Sequence, residues 1–382
     1  AAVKIREIRA FPLRATGQPY GVKTATTPRR KPWVADAEVA NPMSRFPRYK
    51  ALRASWQGGL PGVGCLVIAD DGSFGFGTSR YGTPVVSLIN DHLGKLLVGE
   101  EAFAIEKHYD MLTRASSQYG SGGLAAYATS AIDLALWDLK GKVLGLPVYQ
   151  LAGGATQDSL PCYATGNDTD WHMELGFTAT KLACPYGPAD GLAALEKNEA
   201  LVAETRELIG PHVDLMLDCW MAFDVEFAVR LAERLRPYGL RWMEDCLNPD
   251  DLGSHRALRQ RLPWQPLATG EHWYTALPFM TAASERLVDI VQPDIHWAGG
   301  FTACRRIAHV AEAAGISMIL HAGMNTPWGQ HFSFATTNVE WGEFFVGGGP
   351  GVPLGEVAGW PNMPVPVNGR ISPSDAPGFG IE

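Results

Sequence analysis

The 382-residue sequence contains no uninterrupted apolar run long enough to span a bilayer, so it gives no sign of a membrane-spanning helix. It has no basic excess either. With 32 Lys and Arg against 40 Asp and Glu the net charge is −8, which argues against a general nucleic-acid binder. Cysteine is sparse and unpaired in sequence. Six cysteines stand at 65, 162, 184, 219, 246 and 304 with no C-x-x-C among them, so reduced, buried thiols in a cytoplasmic protein are expected. The ten histidines form no H-E-x-x-H. Charged residues make up 19 % and apolar residues 46 %, a globular balance rather than a disordered one. The opening "AAVKIREIRA" alternates apolar and charged residues and reads as a β-strand, not as a signal peptide.

The length fits two domains, or one large barrel with an appendage. Residues 1–125 mix strands and helices and read as an α+β capping domain. "VKIREIRAFPL" predicts a strand, and "GCLVIADDGSFGFGTS" predicts a hairpin about its Asp-Asp-Gly turn. Residues 14–60 form a long irregular stretch. From 23 to 53 it carries Lys23, Arg29, Arg30, Lys31, Arg45, Arg48, Lys50 and Arg53 against Asp36 and Glu38. It is either a solvated loop or a substrate-covering lid that attracts an anion.

A different rhythm starts near 126. "AIDLALWDLKGKVLGLPVYQLAGG" opens as an amphipathic helix, with Ile132, Ala135, Leu136 and Leu139 at helical spacing, and ends at Gly145 and Pro147. Eight strand-like runs then alternate with helical stretches: "LPCYAT", "ATKLAC", "VDLMLD", "LRWMED", "QPLATGE", "VDIVQPD", "SMILHA" and "EWGEFFV". Continuous apolar runs are what strands buried on both faces require. The fold class is therefore α/β, a parallel β/α (TIM-like) barrel over 126–355, with 356–382 as a C-terminal segment returning to the capping domain.

Polar residues close these runs in turn: Asp218, Glu244, Glu271, Asp294 and His321, with Glu343 inside the eighth. The successive gaps from Asp218 to His321 are 26, 27, 23 and 27 residues, each about one strand, one helix and two loops. That spacing brings the side chains to the C-terminal mouth of the barrel. Asp218, Glu244 and Glu271 from adjacent strands would repel one another without a cation. Oxygen-only ligation suits a hard divalent ion such as Mg²⁺, whereas zinc more often recruits His or Cys. Cys219, one step past Asp218, is expected to face away from the mouth.

These features together resemble the enolase superfamily, in its mandelate racemase-like subgroup, over nearly the whole chain. The segment 131–154, the Asp218/Glu244/Glu271 spacing, and "QPD" followed by "LHAG" carry the resemblance. It implies a capping α+β domain, Mg²⁺ as cofactor, and removal of a proton α to a carboxylate. By the same resemblance Asp294 would orient His321 as general base. Many relatives carry Lys-x-Lys at the second strand end. Here Lys181 is kept and Ala183 takes the second place, which weighs against two-base racemisation. Lys181 would still stabilise negative charge beside a substrate carboxylate, and Glu343 would serve as a protonated hydrogen-bond donor to it or stand as an ordinary strand-end acid.

A single base suits dehydration, with His321 taking the C2 proton and then protonating the departing C3 hydroxyl. The pieces "NPMS" (41–44), "YATG" (163–166), "LMLDCWM", "GEH", "PVPVNGRI" and "PGFG" resemble acid-sugar dehydratases of the L-rhamnonate type. Arg53 stands where such enzymes place a substrate-binding arginine. Tyr163, His272, His296 and Trp33 are further candidates for substrate contact, His272 also for a second acid. Two departures, Pro32 before Trp33 and His296 after Ile295, leave L-rhamnonate, L-lyxonate, L-mannonate or another aldonate open. An epimerase or racemase of the same fold and a non-catalytic sugar-acid binding protein remain alternatives. The expected partner is a small acid sugar, with no nucleic acid or membrane, and the subgroup implies a homo-oligomer. "GSGGLA" (120–125) fits a loose dinucleotide pattern but follows no strand, so it carries no such site.

Overall fold

A computed structural model of the chain describes residues 2–13, 28–35, 37–50 and 54–382. Strand β1 (Ile5–Leu13), β2 (Gly62–Ala69) and β3 (Phe74–Ser79) form an antiparallel sheet in the order β1-β2-β3. The hairpin expected between β2 and β3 is present. Gly72 at φ +87 supplies the left-handed residue of its turn, and the Ala69 N–H donates to Ser73 O at 2.8 Å across it.

The alternating glycines of β3 have a packing cause. The helix Leu124–Leu144 lies so close to the sheet that a Cβ at Gly75 would collide with the carbonyl oxygen of Ala135, and one at Gly77 with that of Ala131. This helix was expected to show one apolar face. It is instead buried without a break from Ala125 to Leu139, because the sheet covers one side and the helix Gly300–Ala313 the other. Its two buried carboxylates are both satisfied. Asp133 accepts the Thr302 hydroxyl at 2.6 Å and the Thr302 N–H at 3.0 Å. Asp138 accepts the backbone N–H groups of Phe76 at 2.8 Å and Phe379 at 2.9 Å, and pairs with Lys142. The helix thus joins the sheet, the barrel and the C-terminal segment by bonds that apolar periodicity does not register.

The eight apolar runs form strands β4 (Leu160–Thr165), β5 (Ala179–Ala183), β6 (Asp214–Asp218), β7 (Met243–Glu244), β8 (Leu267–Thr269), β9 (Ile290–Val291), β10 (Ser317–Met318) and β11 (Gly342–Phe345). All pair in parallel, in the order β10-β9-β8-β7-β6-β5-β4-β11. Near the seam between β10 and β11, the Met318 N–H donates to Asn338 O at 3.2 Å. A short strand β12 (Arg370–Ile371) pairs antiparallel with β4. Among the described residues no helix is long and apolar enough to cross a membrane.

The barrel interior is filled, not open. Tyr163, Ala179, Met216, Trp242, Ala268 and Ile319, from β4 to β8 and β10 or their immediate ends, pack into a closed apolar floor, with Ile290 of β9 against it. Side chains two residues on point to the same face. Two steps above Ala179, Met216, Trp242 and Ile319 stand Lys181, Asp218, Glu244 and His321, and two above Trp341 stands Glu343. The strand period therefore stacks a polar layer directly on the apolar floor.

The glycine contacts are testable by denaturation. Gly75→Ala and Gly77→Ala should each lose about 1–3 kcal/mol by overpacking, whereas Gly59→Ala, with nothing near its added methyl, should be close to neutral. Equal effects at all three positions would refute the packing account.

Candidate active site

Asp218, Glu244 and Glu271 come together as their spacing predicts, each offering an oxygen within 4.8 Å of the others. They are held differently. Trp242 Nε1 and Gln292 Nε2 donate to Glu244 Oε2 at 2.9 and 3.0 Å, and Lys181 Nζ donates to Oε1 at 2.5 Å. Asp218 Oδ1 accepts the Trp220 N–H at 3.1 Å, and its Oδ2 lies 3.6 Å from Lys181 Nζ. Burial and the neighbouring carboxylate charges push Asp218 well above the ordinary Asp range; burial likewise raises Glu244, with Lys181 opposing. Such a cluster is short of positive charge. A three-oxygen donor set with that deficit fits a hard divalent cation.

Lys181 is fully buried, and Glu244, Glu343 and Asp218 surround its ammonium. Burial works against its charge, yet Glu244 and Glu343 hold it well above the usual lysine range. Glu343 is an acceptor on every side. Its Oε2 takes the Thr165 hydroxyl and Lys181 at 2.6 Å each, and its Oε1 takes the Ala322 N–H at 2.6 Å. Burial alone would raise it, but the Lys181 and His321 charges bring it down to about 2. Every one of these contacts has Glu343 accepting, which supports the strand-end acid paired with Lys181 over the protonated donor.

His321 Nδ1 lies 2.7 Å from Asp294 Oδ2, and its Nε2 lies 3.2 Å from Glu271 Oε2. Asp294 is held in turn by the His296 N–H on Oδ1 at 2.7 Å. Burial opposes an imidazolium here, but the Glu271 charge and the Asp294 hydrogen bond raise His321 to about 10. The Glu271 share of that rise belongs to a carboxylate whose charge a bound cation would take up. Trp297, 4.7 Å from His321 between ring centroids, covers the imidazole. Asp294 and His321 lie three residues beyond β9 and β10, which leaves their side chains on the mouth.

His272 faces this site and not the outside. Its ring lies between Trp220 and Trp297, with Nε2 3.9 Å from Glu271 Oε2 and Nδ1 3.5 Å from Asp245 Oδ2. Strand alternation failed here because Glu271 and His272 follow the strand in a turn, opened by Gly270 at φ +137. His296 is corrected from substrate contact to fastener. Its Nδ1 meets Thr78 Oγ1 at 3.0 Å and its Nε2 meets Thr326 Oγ1 at 2.9 Å, tying β3 to the barrel. Tyr163 is corrected likewise. It belongs to the apolar floor, fully buried with its ring 5.6 Å below Lys181 Nζ, out of reach of a substrate.

Trp33 reaches the mouth. Its ring meets Phe345, and a Cβ at Gly166 would come within 2.6 Å of its Nε1, so the glycine of "YATG" makes room for the indole. Three of the loop's described cations are already paired with carboxylates. Arg29 pairs with Glu174 at 2.8 Å, Arg30 with Asp170 at 2.8 Å and Asp168 at 3.0 Å, and Lys50 with Asp190. They fasten the loop to the barrel instead. Asn41 and Ser44 of "NPMS" form a capping box. Arg53, Lys23 and Asp36 lie outside the described residues. Sequence reasoning passed over Trp242, Gln292, Thr165 and Trp297. The first three had a signal, since each stands two residues before a site residue or at a strand end on the inner face.

Residues 169–382 match the enolase C-terminal domain-like family, and residues 48–153 match the mandelate racemase / muconate lactonizing enzyme N-terminal domain. The chain belongs to the enolase superfamily, in its mandelate racemase / muconate lactonizing enzyme branch. Within it, the chain is 37 % identical to the L-rhamnonate dehydratase of Saccharopolyspora erythraea over 99 % of its own length and 96 % of the relative's. The rhamnonate dehydratase of Gibberella zeae solved in complex with Mg superposes with a TM-score of 0.91 at 32 % identity, covering all of this chain and 94 % of that one. A racemase from Streptomyces coelicolor with bound magnesium has a TM-score of 0.72 at 26 % identity, over 85 % of this chain and 93 % of that one.

Gln292 and Trp242 orient Glu244 without belonging to the carboxylate triad. Gln292→Leu and Trp242→Phe should each weaken divalent-cation binding about 10-fold or more, read by calorimetric titration with Mg²⁺. Unchanged affinity in both variants would show that their hydrogen bonds do not tune the carboxylate.

Proposed function

We propose that this protein dehydrates an aldonate of the L-rhamnonate or L-lyxonate type to the 2-keto-3-deoxy acid. It is an acid-sugar dehydratase, a hydro-lyase with Mg²⁺ as its cofactor. The observation that carries the mechanism is the His321–Asp294 pair, 2.7 Å apart, turned toward Glu271 of the carboxylate triad. No comparable free base stands at β5. Ala183 occupies the second position there, and Lys181 is engaged by Glu244 and Glu343.

Held by Asp218, Glu244 and Glu271, Mg²⁺ would offset the negative charge that builds on the substrate carboxylate when its α-proton leaves. His321 Nε2 takes the C2 proton. Asp294 fixes Nδ1 and stabilises the imidazolium. The same imidazolium then returns its proton to the C3 hydroxyl as the C3–O bond breaks. One proton and one hydroxide leave as water, from one face, and the enol left behind tautomerises to the 2-keto acid. Lys181 supplies a fixed positive charge beneath the reacting carboxylate. Trp297 and Trp33 keep water from the imidazole and the mouth.

A panel of aldonic and aldaric acids with Mg²⁺, read by derivatising α-keto acid products, tests this. Wild type should turn over one or a few aldonates, and His321→Asn should lose about 10²–10⁴-fold in kcat. In D₂O, deuterium should enter C3 of the product without accumulating at C2 of recovered substrate. C2 exchange with no loss of water would replace dehydration by epimerisation. Silence across the panel in a protein that binds Mg²⁺ would remove the aldonate assignment.

A further inference from the structure

We propose that Asp245, Glu271 and His272 form a second divalent-cation site beside the carboxylate triad, suited to an ion that accepts imidazole, such as Co²⁺, Zn²⁺ or Mn²⁺. The three residues each offer a donor atom within 4.8 Å of the others, and Glu271 belongs to both groups. Two of the donors are buried and lack hydrogen-bond partners: Asp245 Oδ2 and His272 Nδ1. Asp245 as a whole is 1 % exposed, so this oxygen is shut off from solvent, and it faces His272 Nδ1 at 3.5 Å.

The neighbouring pair provides the contrast. Asp294 and His321 close to 2.7 Å and share a hydrogen bond. Asp245 and His272 stay 3.5 Å apart with no hydrogen bond between them. Two ligands at about 2.0–2.2 Å from a tetrahedral ion stand about 3.4 Å from each other. The open pair therefore has the spacing of two ligands on one metal. The other oxygen of Asp245 accepts the Thr269 hydroxyl at 3.0 Å, which fixes the carboxylate in place. Glu244 and Asp245 are consecutive, and a regular strand would send them to opposite faces. Asp245 instead adopts φ +53, and so both reach Glu271.

The donor sets differ in kind. The triad is all oxygen, whereas this group adds an imidazole nitrogen, which favours borderline transition-metal ions over Mg²⁺. Dehydration is not required for the proposal, which can fail while the dehydratase reading stands.

The test uses Co²⁺ as probe on the full chain, reading bound metal by elemental analysis and ligand geometry by the visible absorption of Co²⁺. Wild type should bind a second equivalent of Co²⁺. Asp218→Asn, which damages the triad, should keep the equivalent whose spectrum shows the imidazole ligand. His272→Gln and Asp245→Asn should lose that equivalent and its bands while still binding Mg²⁺, with unfolding midpoints like wild type. A single equivalent in wild type overturns the proposal, as does a second equivalent that survives both His272→Gln and Asp245→Asn.

Discussion

Negative charge confined in a dry space governs this molecule. Asp218, Glu244, Glu271, Glu343 and Asp294 converge at the barrel mouth, and among the described residues Lys181 is the one buried lysine beside them. Taking several charges out of water is costly unless each finds a partner. Lys181 answers Glu343 and part of Glu244, and His321 answers Asp294. Lys181 also lies 3.6 Å from Asp218, and His321 Nε2 3.2 Å from Glu271, so one ammonium and one imidazole are shared among five carboxylates and the balance is left for a cation. The same deficit that raises Asp218 and Glu244 is what makes the site bind metal, and it raises His321 as well. A cation that fills the deficit would also take up the Glu271 part of the His321 rise.

Much of this was legible because a barrel converts sequence period into position. The recurring strand-plus-helix interval carried Asp218, Glu244, Glu271, Asp294 and His321 to the mouth, and all eight strands formed where apolar runs stood. The period of two carried further still, setting Lys181, Glu244 and Glu343 above Ala179, Trp242 and Trp341. What the sequence hid lies where backbone leaves that regularity. Asp245 and His272 turn inward at positive-φ or turn positions, against alternation. Tyr163 obeyed alternation but sits one layer too low. His296 was read as a contact because it follows Asp294, yet its partners Thr78 and Thr326 are more than 200 and 30 residues of chain apart in opposite directions. No local pattern encodes such a pairing.

The loop illustrates a second limit. Its basic residues suggested attraction of an anion, and three of them turn out to be latched to Glu174, Asp168, Asp170 and Asp190. Exposed pairs of this kind contribute little stability singly. Together with Trp33 lodged over Gly166, they set where the loop rests. Composition disclosed the charge but not its destination, because the matching acids lie on barrel elements more than 100 residues away.

The helix Leu124–Leu144 imposes an order in time. Its Asp138 waits for the Phe379 N–H, a bond spanning 241 residues. At a synthesis rate of about 5–20 residues per second, Phe379 emerges roughly 10–50 s after Asp138. During that interval Asp138 has only the Phe76 N–H and Lys142 to pair with, and the helix that packs against Gly75 and Gly77 has only one of its eventual covers. The nascent chain can therefore assemble strands early but cannot complete the bonds of its central helix until the C-terminal segment arrives.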